Sequence, residues 1–189
     1  MYLDYRSHKA GVYVIDIEAD SLDPTIVWCL CWENVLTGYK GECTNYEEIS
    51  KFFEDTVGGL YVGHNIIKYD GPVLSRLCGA PLSVANCIDT LILSTLYSPS
   101  IQGGHSLDAW GERLGKPKIE FSDWSRLTKK MVEYCHQDVS ITAVLFRRLI
   151  KTLNDIWLSP TTNQDVMLRM KTYHSILDRL NNELKDYKH

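Results

Sequence analysis

The sequence predicts an α/β domain built on one mixed β-sheet that is flanked by helices. The first observation behind this class is a β-branched stretch at residues 11–18, followed by an apolar strand at 26–32 and a hairpin into 39–43. The second is that the later strands, at residues 60–63 and 85–89, alternate with segments of helical spacing. Strands in succession, followed by strands that alternate with helices, indicate a sheet with both antiparallel and parallel pairs.

The helices are predicted from apolar spacing and capping residues. Thr44-Asn-Tyr-Glu47 has the form of a capping box, so we expect a helix from there to the glycines at 58 and 59. Pro72 suits the first turn of a second helix, and Ser106 suits the cap of a short helix at 107–114. We expect further helices at residues 91–96 and, the longest, at 128–157.

The composition describes an ordinary globular domain, with 44% hydrophobic and 23% charged residues. No apolar run is long enough for a membrane span and no signal peptide is evident, so we expect a cytoplasmic protein. The six cysteines form no C-x-x-C pair and predict buried thiols in a reducing compartment. A net charge of -4 argues against bulk attraction to nucleic acid, although an enzyme could still handle nucleic acid locally.

Asp16 and Glu18 are placed in a strand that is otherwise built for a core. Because residues two apart on a strand share a face, their carboxylates point the same way and repel each other. A divalent metal ion would offset that charge, since hard cations prefer oxygen ligands. The alternative is that the strand ends at Ile15 and both acids are solvated.

Two further acids are placed where they could reach the same point. Asp70 follows a predicted strand and begins a helix near the sheet edge, where an aspartate is often only a helix cap. Tyr134 and Asp138 are four residues apart in the long helix and therefore share one face. Asp138 has apolar neighbours, which make an unpaired charge costly. Each signal is weak by itself.

The chain carries these groups in the order Asp16-x-Glu18, Asn65-x-x-x-Tyr69-Asp70 and Tyr134-x-x-x-Asp138. This order resembles the three motifs of the DEDD superfamily of 3′–5′ exonucleases, the DnaQ-like enzymes, and the tyrosine places it with the DEDDy subgroup. In the sister subgroup a histidine precedes the last aspartate by five residues, where this chain has Glu133. Residues 87–91 and 106–115 further resemble the proofreading domains of phage family A DNA polymerases.

The resemblance implies a ribonuclease-H-like fold and phosphodiester hydrolysis by two divalent ions, Mg²⁺ or Mn²⁺, held about 3.5–4 Å apart. The metal ligands that it implies are Asp16, Glu18, Asp70 and Asp138. Tyr134 would orient the attacking water. Leu22 would be an apolar wedge between the last two bases, or else a residue that packs its own turn, and Asn65 would line the strand-binding cleft. Asp89 is expected to have a structural hydrogen-bonding role.

The implied substrate is the 3′ end of single-stranded DNA, and the implied products are nucleoside 5′-monophosphates. The implied role is in DNA replication or proofreading. For a phage-encoded chain the compartment would be the host cytoplasm. One alternative is an exonuclease that trims RNA. Another is a non-catalytic nucleic-acid-binding or assembly module that kept the fold, although clustered negative charge is unfavourable on a surface that faces phosphates.

We expect residues 1–157 to form the exonuclease domain and residues 158–189 a C-terminal amphipathic helix. Pro160 separates the two, and apolar residues then recur at heptad spacing up to Tyr187. This helix would fold back onto its own domain, or it would bind a separate polymerase subunit or a second copy of the chain. The start at Met1 and the capped tail favour a complete chain over a fragment.

Overall fold

The structure, a computed structural model, describes residues 5–158. The sheet and the site discussed below belong to one compact unit that ends at Leu149. The helix predicted for the C-terminal tail lies outside the described residues, and the domain boundary at residue 157 stays a prediction. Among the described helices, none is long and apolar enough to cross a membrane.

Five strands form one sheet in the order β3-β2-β1-β4-β5. Their bounds are β1 Val12–Ala19, β2 Val27–Asn34, β3 Lys40–Cys43, β4 Leu60–Gly63 and β5 Cys87–Asp89. β1, β2 and β3 pair antiparallel, whereas β1 with β4 and β4 with β5 pair parallel. The predicted mixed sheet is therefore confirmed. Its central strand is β1, the strand that carries the first two acids.

Within residues 5–158, five α-helices follow a short 3-10 helix at Tyr5–Ser7. Their bounds are α1 Tyr46–Asp55, α2 Asp70–Cys78, α3 Thr90–Tyr97, α4 Leu107–Arg113 and α5 Lys129–Leu158. α4 begins as predicted, because the Ser106 hydroxyl caps it by accepting from the Ala109 N–H. No helix or strand occupies residues 117–124.

One predicted helix start, that of α1, was wrong by one residue. The cap of α1 is Asn45, whose side chain accepts from the Glu48 N–H at 2.9 Å, while the Glu48 carboxylate accepts from the Thr44 N–H at 2.7 Å. The capping box is thus displaced by one residue, because asparagine and threonine are both good caps and the local sequence does not choose between them. α2 begins at Asp70, as predicted, and Pro72 is its third residue, a first-turn position whose missing N–H costs no helical hydrogen bond.

β1 is buried on both faces, which explains its nearly continuous apolar sequence. One face packs on an aromatic cluster that includes α1, with the ring centroids of Tyr13 and Phe52 5.6 Å apart. The other face carries the acids and lies against α5, where the Cys135 thiol donates to the Asp16 backbone oxygen at 3.3 Å. β1 continues to Ala19, so the alternative in which the strand ends at Ile15 was wrong.

Asp89 connects the end of β5 to the loop that precedes α2. Its Oδ1 accepts from the N–H groups of Asn65 and Leu91, both at 2.9 Å, and its Oδ2 accepts from the Ile67 N–H at 3.2 Å. Asn65 has a φ of 66°, a left-handed conformation that is costly for a residue other than glycine. The buried Asp89 carboxylate thus caps α3 and holds the Asn65 loop, and the predicted hydrogen-bonding role is confirmed.

We expect Asp89→Asn to lower the free energy of unfolding by about 1–3 kcal/mol, because an amide nitrogen cannot accept from a buried N–H. Urea unfolding of the purified variant measures this loss. Asp55→Asn is the matched control, since Asp55 is exposed and forms a helix-surface ion pair with Lys51 that is worth about 0.5 kcal/mol or less. Equal losses in the two variants would contradict the structural role of Asp89.

Candidate active site

Four carboxyl groups from three elements converge beside the central strand. Asp16 and Glu18 belong to β1, Asp70 is the first residue of α2, and Asp138 lies in α5. β4 runs parallel to β1 and leads into the loop before α2, so Asp70 returns to the edge where β1 ends. There its Oδ1 accepts from the Ile17 N–H at 3.3 Å. The four acids are near enough that the charges of the other three each raise the pKa of Asp16.

Burial is the first cause that raises the pKa of each of the four acids. Glu18, Asp70 and Asp138 are only 4–5% exposed, and Asp16 is partly buried. Burial first, and then neighbouring negative charge, raises the pKa of Glu18 to about 9. Burial is also the main cause that raises the pKa of Asp70 to about 7 and the pKa of Asp138 above its ordinary value. The cluster therefore stores unfavourable electrostatic energy whenever all four groups are ionised.

The donor set fits hard divalent cations. Within the described part of the chain, Glu18 Oε1 and Asp138 Oδ1 are buried and have no hydrogen-bond partner. A buried carboxylate oxygen without a donor is costly, and a divalent ion offers such an oxygen a ligand bond. The other members are also carboxylate oxygens, which Mg²⁺ and Mn²⁺ prefer. The residues present thus fit the divalent ions that the motifs imply.

Lys118 completes the site, and sequence reasoning missed it. Its Nζ lies 2.5 Å from Asp138 Oδ2 and 4.7 Å from the ring centroid of Tyr134. Burial alone would lower the pKa of Lys118, but the Asp138 carboxylate outweighs it and raises that pKa. Lys118 belongs to an irregular loop held by Trp28, which donates to the Trp124 backbone oxygen at 3.0 Å, and by Gln137. No spacing rule relates Lys118 to Asp138, so only the course of the loop reveals the pair.

Tyr134 lies between the carboxylates and an aromatic wall. Lys118 Nζ lies over its ring, and Asp138 is near enough that its negative charge helps to raise the pKa of Tyr134. Its ring centroid is 5.6 Å from that of Phe121 and 5.7 Å from that of Trp124. Burial raises the pKa of Tyr134, so its hydroxyl remains protonated at neutral pH. It can accept or donate a hydrogen bond there, but it is poorly suited to act as a base.

Leu22 is 92% exposed in the loop between β1 and β2, so it does not pack its own turn. The loop itself is held in place from α2 and the residue before it. Tyr69 Oη donates to the Ser21 backbone oxygen at 2.9 Å, and Arg76 Nη2 donates to the Pro24 backbone oxygen at 2.8 Å. A large apolar side chain is thus presented to solvent by an anchored loop, which is an arrangement suited to contact with a ligand.

No protein-family model matches the chain. The DNA-directed DNA polymerase of Escherichia phage T7 is 32% identical over a match that covers 49% of this chain and 19% of the polymerase, and that of Enterobacteria phage T3 matches equally. The chain thus spans about a fifth of the length of the polymerases that it matches.

Two structures of NrnC from Brucella melitensis and one of RRP6 from Trypanosoma brucei are similar to this one. NrnC with bound Mg²⁺ has a TM-score of 0.67 at 18% identity and covers 99% of this chain and 90% of its own. NrnC bound to pGG has a TM-score of 0.57 at 22% identity, and the match covers 80% of this chain and 78% of the NrnC chain. The catalytic core of RRP6 has a TM-score of 0.57 at 19% identity, and the match covers 77% of this chain and 42% of the RRP6 chain.

The chain has a ribonuclease-H-like fold, which it shares with these structures. The predicted ribonuclease-H-like architecture is confirmed, and so is the resemblance to DEDDy exonucleases and phage polymerases. The structure brings Asp16, Glu18, Asp70, Tyr134 and Asp138 together in this fold. The roles assigned to them by resemblance, and those of Leu22 and Asn65, stay predictions.

Without divalent ions, the folded protein should lose stability as the pH rises from about 5 to 9. The pKa of Glu18 is raised from 4.5 to about 9 and that of Asp70 from 3.8 to about 7. In this window the unfolded chain has released protons that the folded chain retains, so deprotonation favours unfolding. We expect the melting temperature in EDTA to fall by about 5 °C or more, since 1 kcal/mol corresponds to roughly 2–4 °C at this size.

The control for this prediction is Glu18→Gln, which removes a carboxyl group whose pKa is raised to about 9 and should flatten the pH dependence. Saturating Mg²⁺ should restore stability at high pH, because a bound cation favours the ionised carboxylates. A melting temperature in EDTA that rises from pH 5 to 9 would contradict the electrostatic description of the site.

Proposed function

We propose that this chain is a divalent-metal-dependent 3′–5′ exonuclease of the DEDDy type. Its substrate would be the 3′ end of single-stranded DNA, and its product nucleoside 5′-monophosphates. The observation that carries the proposal is the convergence of four acids with Tyr134, in which Glu18 and Asp138 each keep an unpartnered buried oxygen. The match to phage DNA polymerases supports a role in DNA replication, as a proofreading nuclease.

Two divalent ions, Mg²⁺ or Mn²⁺, would be held by the carboxylates. Asp16 would bind both ions, Glu18 and Asp138 would complete the first site, and Asp70 would contribute to the second. When bound, such ions supply an activated water nucleophile and stabilise charge on the leaving oxygen. The Ile17 N–H orients Asp70 for this task through its 3.3 Å hydrogen bond.

The remaining groups position the reactants. The protonated Tyr134 hydroxyl accepts or donates hydrogen bonds and would hold the attacking water in line with the phosphorus atom. Lys118 places a positive charge beside Asp138 and Tyr134, which favours the approach of a negative phosphate to an otherwise acidic cleft. The Phe121 and Trp124 rings beside Tyr134 offer aromatic surface to a base. Recognition of this kind is tolerant of sequence.

The proposal includes a role for the C-terminal tail, residues 158–189. Residues 158–189 would form an amphipathic helix that packs on residues 1–157, binds a separate polymerase subunit, or joins two copies of the chain. The match to phage DNA polymerases supports a polymerase as the partner. A polymerase partner would bring the exonuclease close to a newly made 3′ end.

The first test of the proposal is a gel assay of 5′-labelled single-stranded DNA with Mg²⁺ or Mn²⁺. We expect a ladder that shortens from the 3′ end and is lost in EDTA. Asp16→Ala should lower the rate by about 10³-fold, because metal-assisted charge stabilisation is worth several kcal/mol. Glu47→Ala, on the exposed surface of α1, should leave the rate unchanged. An intact band with every metal would contradict the proposal and favour the non-catalytic binding module.

Leu22→Ala tests the contact between the anchored loop and the substrate. Loss of base stacking should lower kcat/KM on single-stranded DNA by about tenfold, since such a contact is worth about 1–3 kcal/mol. The melting temperature should not change, because Leu22 is 92% exposed. The control is Val57→Ala, another exposed apolar residue, at 72%. If the two variants show the same steady-state kinetics, Leu22 has no role in binding.

The second candidate function is hydrolysis of RNA or of very short oligonucleotides, and the similarity to NrnC bound to pGG favours it. Direct competition between DNA and RNA oligonucleotides of equal length and sequence decides between the substrates, with pGG as a third competitor. We expect DNA to disappear first. Faster loss of RNA, or of the dinucleotide, would overturn the DNA preference while leaving the exonuclease chemistry in place.

A further inference from the structure

Three cysteine thiols lie directly behind the carboxylates, in a part of the core that the proposed chemistry does not use. Cys29 and Cys31 come from β2 and Cys135 from α5, and each is 0% exposed. Their sulfur atoms all lie within 4.8 Å of one another. All three are free thiols. They form one compact group of sulfur ligands, because Cys29 and Cys31 are two apart on a strand and face α5 together.

This thiol cluster, Cys29, Cys31 and Cys135, shares a boundary with the acidic site. In the β1–β2 register, Cys31 is directly opposite Asp16 and Cys29 is directly opposite Glu18. The Cys135 sulfur is 3.7 Å from Asp16 Oδ2, and it also lies within 4.8 Å of a ligand oxygen of Glu18. Asp16 is the partly exposed member of this group, whereas the three cysteines are fully buried.

The spacing of the cluster suits a soft cation. A zinc ion binds sulfur at about 2.3 Å in a tetrahedron, so its sulfur ligands lie ~3.8 Å from one another. The three sulfur atoms lie within 4.8 Å of one another, and an Asp16 carboxylate oxygen lies 3.7 Å from one of them, that of Cys135. Mg²⁺ and Mn²⁺ prefer oxygen ligands, whereas Zn²⁺ and Cd²⁺ bind thiolates strongly. The two neighbouring donor sets would therefore select different metals.

We propose that Cys29, Cys31 and Cys135, together with Asp16, form a binding site for one thiophilic divalent cation, Zn²⁺ or Cd²⁺. Binding forms metal–sulfur bonds and releases the thiol protons to solvent, with no change of oxidation state. The bound cation also takes a carboxylate oxygen of Asp16 away from the oxygen site. Resting on the proposed nuclease function, the consequence is that thiophilic cations inhibit an enzyme that Mg²⁺ activates.

The binding test is a titration of the reduced, metal-free full-length chain with Cd²⁺ in excess Mg²⁺, under oxygen-free conditions. We expect an ultraviolet thiolate-to-cadmium charge-transfer band that saturates at one equivalent of Cd²⁺. The band should be lost in Cys31→Ala and in Cys29→Ala. It should persist in Cys78→Ala, a free cysteine outside the cluster. Absence of the band in the wild-type chain, or an equal band in Cys31→Ala, would overturn the proposal whether or not any variant folds poorly.

A second measurement follows nuclease rate during the same titration. The wild-type rate in Mg²⁺ should fall as the charge-transfer band rises and should recover when a dithiol chelator removes the Cd²⁺. The rate of Cys31→Ala should not respond to this amount of Cd²⁺. A full band with an unchanged wild-type rate would overturn the coupling through Asp16. A band in a chain that shows no nuclease activity in Mg²⁺ alone would preserve the cation site and refute the proposed function instead.

Discussion

Repulsion among four buried carboxyl groups is the constraint on which the rest of this structure depends. Burial makes ionisation of these groups unfavourable, and the negative charges of neighbouring groups make it more so. The four groups are those of Asp16, Glu18, Asp70 and Asp138. A core strand normally excludes such groups, because an unpaired buried charge costs several kcal/mol. The neighbouring elements reduce that cost in part. Lys118 pairs with Asp138, and the Ile17 N–H donates to Asp70.

Two carboxylate oxygens nevertheless remain without a partner in the residues that the structure describes. The cost of burying these two oxygens without a donor favours a cation-binding site over a purely structural one, because a bound divalent ion would remove that cost. The backbone around the site is correspondingly constrained. Asn65 keeps its left-handed conformation because the buried Asp89 carboxylate accepts from its N–H, and the same carboxylate caps α3. Rigidity at Asp89 thus positions the loop that leads to Asp70.

The site also shows how one side chain can belong to two chemically different sets of donors. Asp16 lies near the other carboxylates and 3.7 Å from the sulfur atom of Cys135. Oxygen and sulfur ligands differ in their preference for hard and soft cations, so the two sets would compete for Asp16 only when a thiophilic ion is present. The close antiparallel pairing of β1 and β2 is what places the two sets side by side.

Much of this fold follows from local sequence rules. The two-residue period of a strand places Asp16 and Glu18 on one face, and the period of a helix does the same for Tyr134 and Asp138. Alternation of strands and helices after residue 43 indicated the parallel part of the sheet. Helix starts were less certain, as Asn45 shows, because adjacent residues with equal capping ability leave the choice to packing.

By itself the sequence determined the order of elements, the identity of the acids and their resemblance to exonuclease motifs, since these depend on spacing along the chain. Only the tertiary structure decided that Lys118 reaches Asp138, that Cys31 faces Asp16 and that Cys135 completes a cluster of thiols. These pairs are separated by up to 119 residues, as for Cys135 and Asp16. Their contacts depend on strand register, on the packing of α5 across β1 and on the course of one irregular loop, none of which has a local signal.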